Sequence, residues 1–184
     1  MFDMSNKPKR TFGQRYVAFA ENVSEISGHI AAYLLIPVLI VFVIEIIARN
    51  VFNSPTVWAY GMCYILGGIA AVLGFGYAMK KGAMVRIDAL YGKLKRKTQL
   101  ILDLILYTLL FLPLTIGGSY VSAVKAIASV ASGELISTGS WNAPIWPTKI
   151  AIVVALVILA MQGIAEMVRD VWELKAMAEE GGHK

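Results

Sequence analysis

Four long apolar runs, separated by charged or turn-rich segments, constrain this chain more than any other feature. A helix rises about 1.5 Å per residue, so roughly 20 apolar residues cross a hydrocarbon core about 30 Å thick. Lipid offers no hydrogen bonds, so the backbone must pair within each run, and a helix does that. The first run spans about Ile30–Val51. The second spans Val57–Met79, after the breaker Asn53-Ser54-Pro55. The third starts near Leu100, and its pattern extends through Gly117-Gly118 to Ser132. Pro113 lies inside it as a source of kinking. The fourth spans about Pro147–Val168, with Pro147 suited to a first helical turn. The expected fold is all-α: a polytopic membrane protein with four transmembrane helices and short amphipathic interfacial helices.

Composition agrees. Hydrophobic residues make up 58% of the 184 and charged residues 16%, and mean hydropathy is +0.66. Soluble domains run about 45–50% apolar and about 25% charged, so a soluble enzyme is disfavoured. The net charge of +5 does not point to nucleic acid, because the basic residues lie between the apolar runs. Cys63 is the sole cysteine, and His29 and His183 are the only histidines. Neither an intrachain disulfide, a cysteine-cluster metal site nor a buried bis-histidine haem site can be assembled from these. No phosphate-binding glycine loop, HExxH or nucleophile motif occurs. The chain is expected to be neither an enzyme nor a cofactor carrier.

The first apolar run is longer than a signal-peptide core, and no small-residue cleavage site follows it, so it reads as a retained span. Lys and Arg orient the set. Lys7, Lys9, Arg10 and Arg15 precede span 1. Lys80, Lys81, Arg86, Lys93, Lys95, Arg96 and Lys97 follow span 2. Arg169, Lys175 and Lys184 follow span 4, leaving only Arg49, Lys125 and Lys149 toward the other side. The positive-inside rule then puts both termini and the loop between spans 2 and 3 in the cytoplasm. Trp58, Trp141 and Trp146 fall at the outer boundary and Trp172 just past the inner end of span 4, as interface anchors do.

Two segments read as interfacial. Phe12, Tyr16, Phe19, Val23 and Ile26 recur at three- and four-residue spacing, as in a helix lying among headgroups. Ile87, Leu90, Tyr91 and Leu94 form a second stripe beside Lys93, Lys95, Arg96 and Lys97, a composition that attracts anionic membrane lipids. The organisation is then 1–29 as tail and interfacial helix, 30–168 as membrane domain and 169–184 as tail.

Charges inside a membrane are costly. Glu45 and Arg49 are four apart in span 1, on one helix face. Three readings stand: a self-neutralising pair with Arg49 snorkelling to headgroups, a polar contact with a partner helix, or an ion relay. Asp103, one turn into span 3, reads as an anchor near the cytoplasmic edge. Span 2 is rich in small residues. Ala70, Gly74 and Ala78 lie four apart, and Gly67 and Ala71 repeat that spacing beside them. Such faces let helices approach closely, within one subunit or between two.

Several stretches carry a resemblance. Arg49-Asn50-Val51-Phe52-Asn53 ends span 1 and Ser54-Pro55-Thr56-Val57-Trp58 follows. Gly82-Ala83-Met84-Val85-Arg86-Ile87-Asp88 follows span 2. Trp141-Asn142-Ala143-Pro144-Ile145-Trp146-Pro147 leads span 4, which ends with Gln162. Over about residues 12–175 this order and spacing resembles the DctQ-like small membrane subunit of tripartite ATP-independent periplasmic (TRAP) transporters. Family members often have His where Met84 stands and an acidic residue where Ala59, Tyr60 and Gly61 occur, so roles of those side chains do not carry over. Arg49, Trp58, Arg86 and Asp88 match.

The resemblance implies a bacterial inner-membrane permease fed by a periplasmic substrate-binding protein. In it, a large membrane subunit carries organic acid and sodium and moves as an elevator, with the small subunit packed beside its scaffold. The interface candidates are Glu45, Arg49, Trp58, Arg86, Asp88, Trp141 and Trp146. Two other classes compete: an autonomous transporter or channel using Glu45 and Arg49, and a membrane anchor of a redox complex.

Overall fold

The computed structural model describes residues 12–83, 94–137 and 141–181. Four helices organise them: α1 (Phe12–Asn50), α2 (Ala59–Lys80), α3 (Arg96–Ser132) and α4 (Trp146–Gly181). Each contains a stretch long and apolar enough to cross a membrane. Two three-residue strands, β1 (Leu135–Ser137) and β2 (Asn142–Pro144), pair antiparallel between α3 and α4, with Ile136 opposite Ala143. The all-α, four-span expectation holds.

The helices end for local reasons. The Asn50 side chain donates to the Ile46 carbonyl at 2.8 Å. Ser54 N–H reaches back to the Ala48 carbonyl at 3.0 Å. That second bond needs a left-handed residue, and Asn53 supplies it at φ 49°. Gly133, at φ 62°, ends α3 in the same way. α3 passes without interruption through Gly117-Gly118, but it contains a π-helical turn, Tyr107–Phe111. In that turn Leu112 N–H bonds the Tyr107 carbonyl, five residues back. The wider turn sits just before Pro113, whose ring would crowd the Leu109 carbonyl and whose nitrogen cannot donate to it.

α1 is 39 residues long, about 58 Å. The segment from Phe12 to Ile26 is therefore one helix with span 1. Its large apolar residues Phe12, Phe19 and Ile26 face outward, while Val17, Ala20, Ser24 and Ser27 are buried. α4 likewise continues past Val168 to Gly181. α4 is the hub: α1 and α2 pack on each other and on it, and α3 packs chiefly on it.

Small side chains are prominent in the interior, beside Ile65, Leu100 and Ile158, and many of the largest apolar side chains lie outside. Ala20, Ala70, Ala126, Ala155 and Ala165 are buried, whereas Leu39, Leu109 and Ile127 are more than 60% exposed. A soluble bundle reverses this. Lipid removes the hydrophobic drive for association, so close backbone approach and dispersion take over. Four glycines show the approach. A Cβ on Gly76 would lie 2.7 Å from Ile158 Cγ2, and one on Gly61 2.7 Å from the Trp141 ring. Gly28 meets Tyr77 and Gly163 meets Phe111 more closely still.

Candidate subunit interface and internal ties

The bundle has two ends. The loop end carries the α1–α2 loop and the β-hairpin. The tail end carries the start of α1 and the last turns of α4. Polar side chains gather at both.

At the loop end, Glu45 is a staple. Its Oε1 accepts from Arg49 Nη2 at 2.8 Å. Its Oε2 accepts from the Thr56 backbone N–H at 2.9 Å and from the Thr56 hydroxyl. The carboxylate thus fastens the loop to α1, so the Glu45–Arg49 pair is real but shared with a third residue. Trp58 precedes α2 and Trp146 opens α4, 37% and 42% exposed. Trp141 is more than an anchor. Its ring lies on Gly61 and packs with the buried pair Ile65 and Ala143. Across the hairpin, Lys149 Nζ and Glu134 Oε2 are 2.5 Å apart. The Lys149 ammonium holds the Glu134 carboxyl below the usual carboxylate range.

At the tail end a polar chain crosses from α1 to α4. Ser24 Oγ donates to Gln162 Oε1 at 2.8 Å, with both residues fully buried. Gln162 Nε2 donates to Glu166 Oε1 at 3.1 Å, and Arg169 bonds Glu166 at 3.3 Å and also Glu21. Tyr16 donates to the Met161 carbonyl at 3.2 Å. α2 joins through Lys80, whose ammonium meets Glu25 at 2.5 Å and the Glu21 carbonyl at 3.2 Å. Arg96, at the start of α3, pairs bidentately with Glu173 at 2.7 and 2.8 Å. Asp103 is buried within electrostatic reach of Arg96.

The small-residue face of α2 divides. Ala70 is buried inside the chain, 4% exposed. Ala71 faces outward, and a Cβ on Gly67 or Gly74 would meet nothing within 4 Å. Ala78 is half-buried. Close packing inside the subunit uses Gly61 and Gly76 instead. Arg86 and Asp88, with the stripe from Ile87 to Tyr91, lie outside the described residues.

Sequence reasoning missed the tail-end chain. Ser24 and Gln162 are ordinary polar residues until α1 and α4 are packed together. The available signal was a run of small polar residues in α1, Ser24 and Ser27, facing the one amide in span 4.

The family model for the DctQ component of tripartite ATP-independent periplasmic transporters matches residues 38–172. The chain belongs to the DctQ family. It is the small membrane component of a TRAP transporter, as the motifs in the loops implied. The matched stretch covers the Glu45–Thr56 staple, all of α2, the hairpin and Gln162, Glu166 and Arg169. Glu21, Ser24 and Glu25 fall before it. No curated protein matches the chain in sequence.

Proposed function

We propose that this chain braces the large, elevator-type membrane subunit of a TRAP transporter for organic acids in the bacterial inner membrane. The large subunit carries substrate and sodium, and a periplasmic binding protein delivers the substrate. Both termini lie in the cytoplasm by the positive-inside rule, so the loop end faces the periplasm and is the end available to the binding protein. Arg86 and Asp88 remain candidates for subunit or lipid contact at the cytoplasmic end, with Glu45, Arg49, Trp58, Trp141 and Trp146 at the other.

One observation carries the reading. The polar side chains described above within the spans tie the chain to itself, and its outward surface is large and apolar. Glu45 holds a loop, and Gln162 holds α1 to α4. An elevator needs a scaffold that stays fixed while another domain slides. A four-helix bundle tied by ion pairs between its own helices, with tryptophans at its loop end, suits that task.

The test is reconstitution. Proteoliposomes holding the large subunit, fed with binding protein and a sodium gradient, should take up substrate far faster with this chain than without it. Equal rates would refute the bracing role. Substrate-dependent flux through vesicles containing this chain alone would replace it with an autonomous carrier.

A further inference from the structure

The outward side of the α1–α2 pair holds a cleft of about 640 Å³, and Arg49 stands at its loop-end mouth. We propose that this cleft binds a membrane glycerophospholipid. One acyl chain lies along Val38, Phe42, Ile46, Tyr64 and Gly67, with the phosphodiester on the Arg49 guanidinium.

Polarity is the first argument. The cleft is apolar along most of its walls and ends on a cation, which is the order of groups in an anionic or zwitterionic amphiphile. The second argument is length. Val38 to Arg49 on α1 is 11 residue steps, about 16 Å of helix. Half of a hydrocarbon core is about 15 Å, the reach of one acyl chain from headgroup to midplane. The third is capacity. The volume falls in the range of small-molecule sites, roughly 300–1,000 Å³. At Gly67 it meets a second cleft of about 420 Å³ lined by Val72 and Ile152, which gives a second acyl chain room on the other side of α2.

Charge decides the headgroup. Glu45 also lines the cleft, but its carboxylate is occupied by Thr56 and Arg49. Arg49 donates one N–H to it, and its side chain is 66% exposed. A guanidinium has five donors in a rigid fork and matches phosphate oxygens well. A partner helix would offer side chains to a ridge or shallow face. A cleft walled by two helices and closed by a cation suits a chain with a charged head.

The test uses the full chain in nanodiscs of phosphatidylethanolamine and phosphatidylglycerol, doped with phosphatidylethanolamine carrying a diazirine in its acyl chain. After photolysis, adducts are mapped by mass spectrometry. Adducts should concentrate severalfold on Phe42, Cys63 and Tyr64 over the outward Leu39 and Ile40. Arg49→Gln should cut the cleft adducts severalfold while those on Leu39 stay constant. Gly67→Phe, which fills the cleft, should do the same with helicity unchanged by circular dichroism. Uniform labelling of the outward faces, or labelling indifferent to Arg49→Gln, would overturn the site. So would a photo-crosslinker at Tyr64 that captures the large subunit in the assembled transporter, because a protein would then fill the cleft. The inference stands apart from the bracing role, since lipid occupancy is read on this chain alone.

Discussion

Gln162→Leu probes the tail-end chain most directly. Leucine nearly preserves the volume of the glutamine and removes two hydrogen bonds, to Ser24 and Glu166. Interhelical hydrogen bonds in membranes average about 0.6 kcal/mol in double-mutant cycles, up to about 1.7. Leaving a buried hydroxyl unpaired costs about 1–3 kcal/mol, but Ser24 can turn back to a carbonyl one turn earlier and recover part of that. Glu166 keeps Arg169. The expected loss for Gln162→Leu is therefore about 1–2 kcal/mol. For a chain of this size that corresponds to a melting shift of roughly 2–8 °C. Ser24→Ala alone removes one bond and leaves the Gln162 oxygen unpaired, so it loses somewhat less. The double variant should be more stable than the sum of the singles predicts, with a coupling of about 0.6–1.7 kcal/mol. The assay is reversible unfolding in detergent or bicelles with a helicity readout. A coupling indistinguishable from zero would show that Ser24 and Gln162 do not meet across α1 and α4, and the packing of those helices would have to be redrawn.

Four further outcomes follow from the same geometry. Gly76→Leu drives a side chain into Ile158 and Ser24 and should destabilise the isolated chain by about 1–3 kcal/mol. Gly74→Ala meets open space and should be neutral or stabilising by up to about 1 kcal/mol in the same unfolding assay. Glu45→Ala should raise amide hydrogen exchange at Thr56 and its loop neighbours without changing exchange in α4, because the staple is local. The Glu134–Lys149 tie depends on pH with a definite sign. The folded-state carboxyl titrates below its usual range, so the tie is intact at neutral pH and is lost as pH falls through that lowered value. Protection factors in the hairpin, taken against the intrinsic exchange rate at each pH, should fall on acidification, and Glu134→Gln should abolish that pH dependence.

Much of the fold was legible because lipid imposes a simple rule. A run of about 20 apolar residues needs no particular sequence to become a span, and breakers such as Asn53-Ser54-Pro55 mark its end. The family was legible too, since its motifs sit in the loops and span ends, where residue identity is constrained by turns and interfaces. The Glu45–Arg49 pair was legible from its spacing. Its third partner, Thr56, was not, because that contact depends on how the loop folds back over α1.

Helix length was harder to read. α1 runs unbroken from Phe12 to Asn50, because a polar helix continues smoothly from an apolar one when its own turns find partners. Here Tyr16, Glu21 and Ser24 find theirs on α4. The same holds for the end of α4, which Trp172 over Gly13 and Glu173 with Arg96 tie down.

The sequence by itself determined the number of spans, their approximate positions and the family, because bilayer thickness and loop chemistry are written in one dimension. Only the tertiary structure decided which helix faces meet. Spans 1 and 2 are apolar nearly all round, so no stripe marks an inward side. Which glycine lies under which ring, and which serine finds the buried Gln162 amide, follows from how four such cylinders pack together.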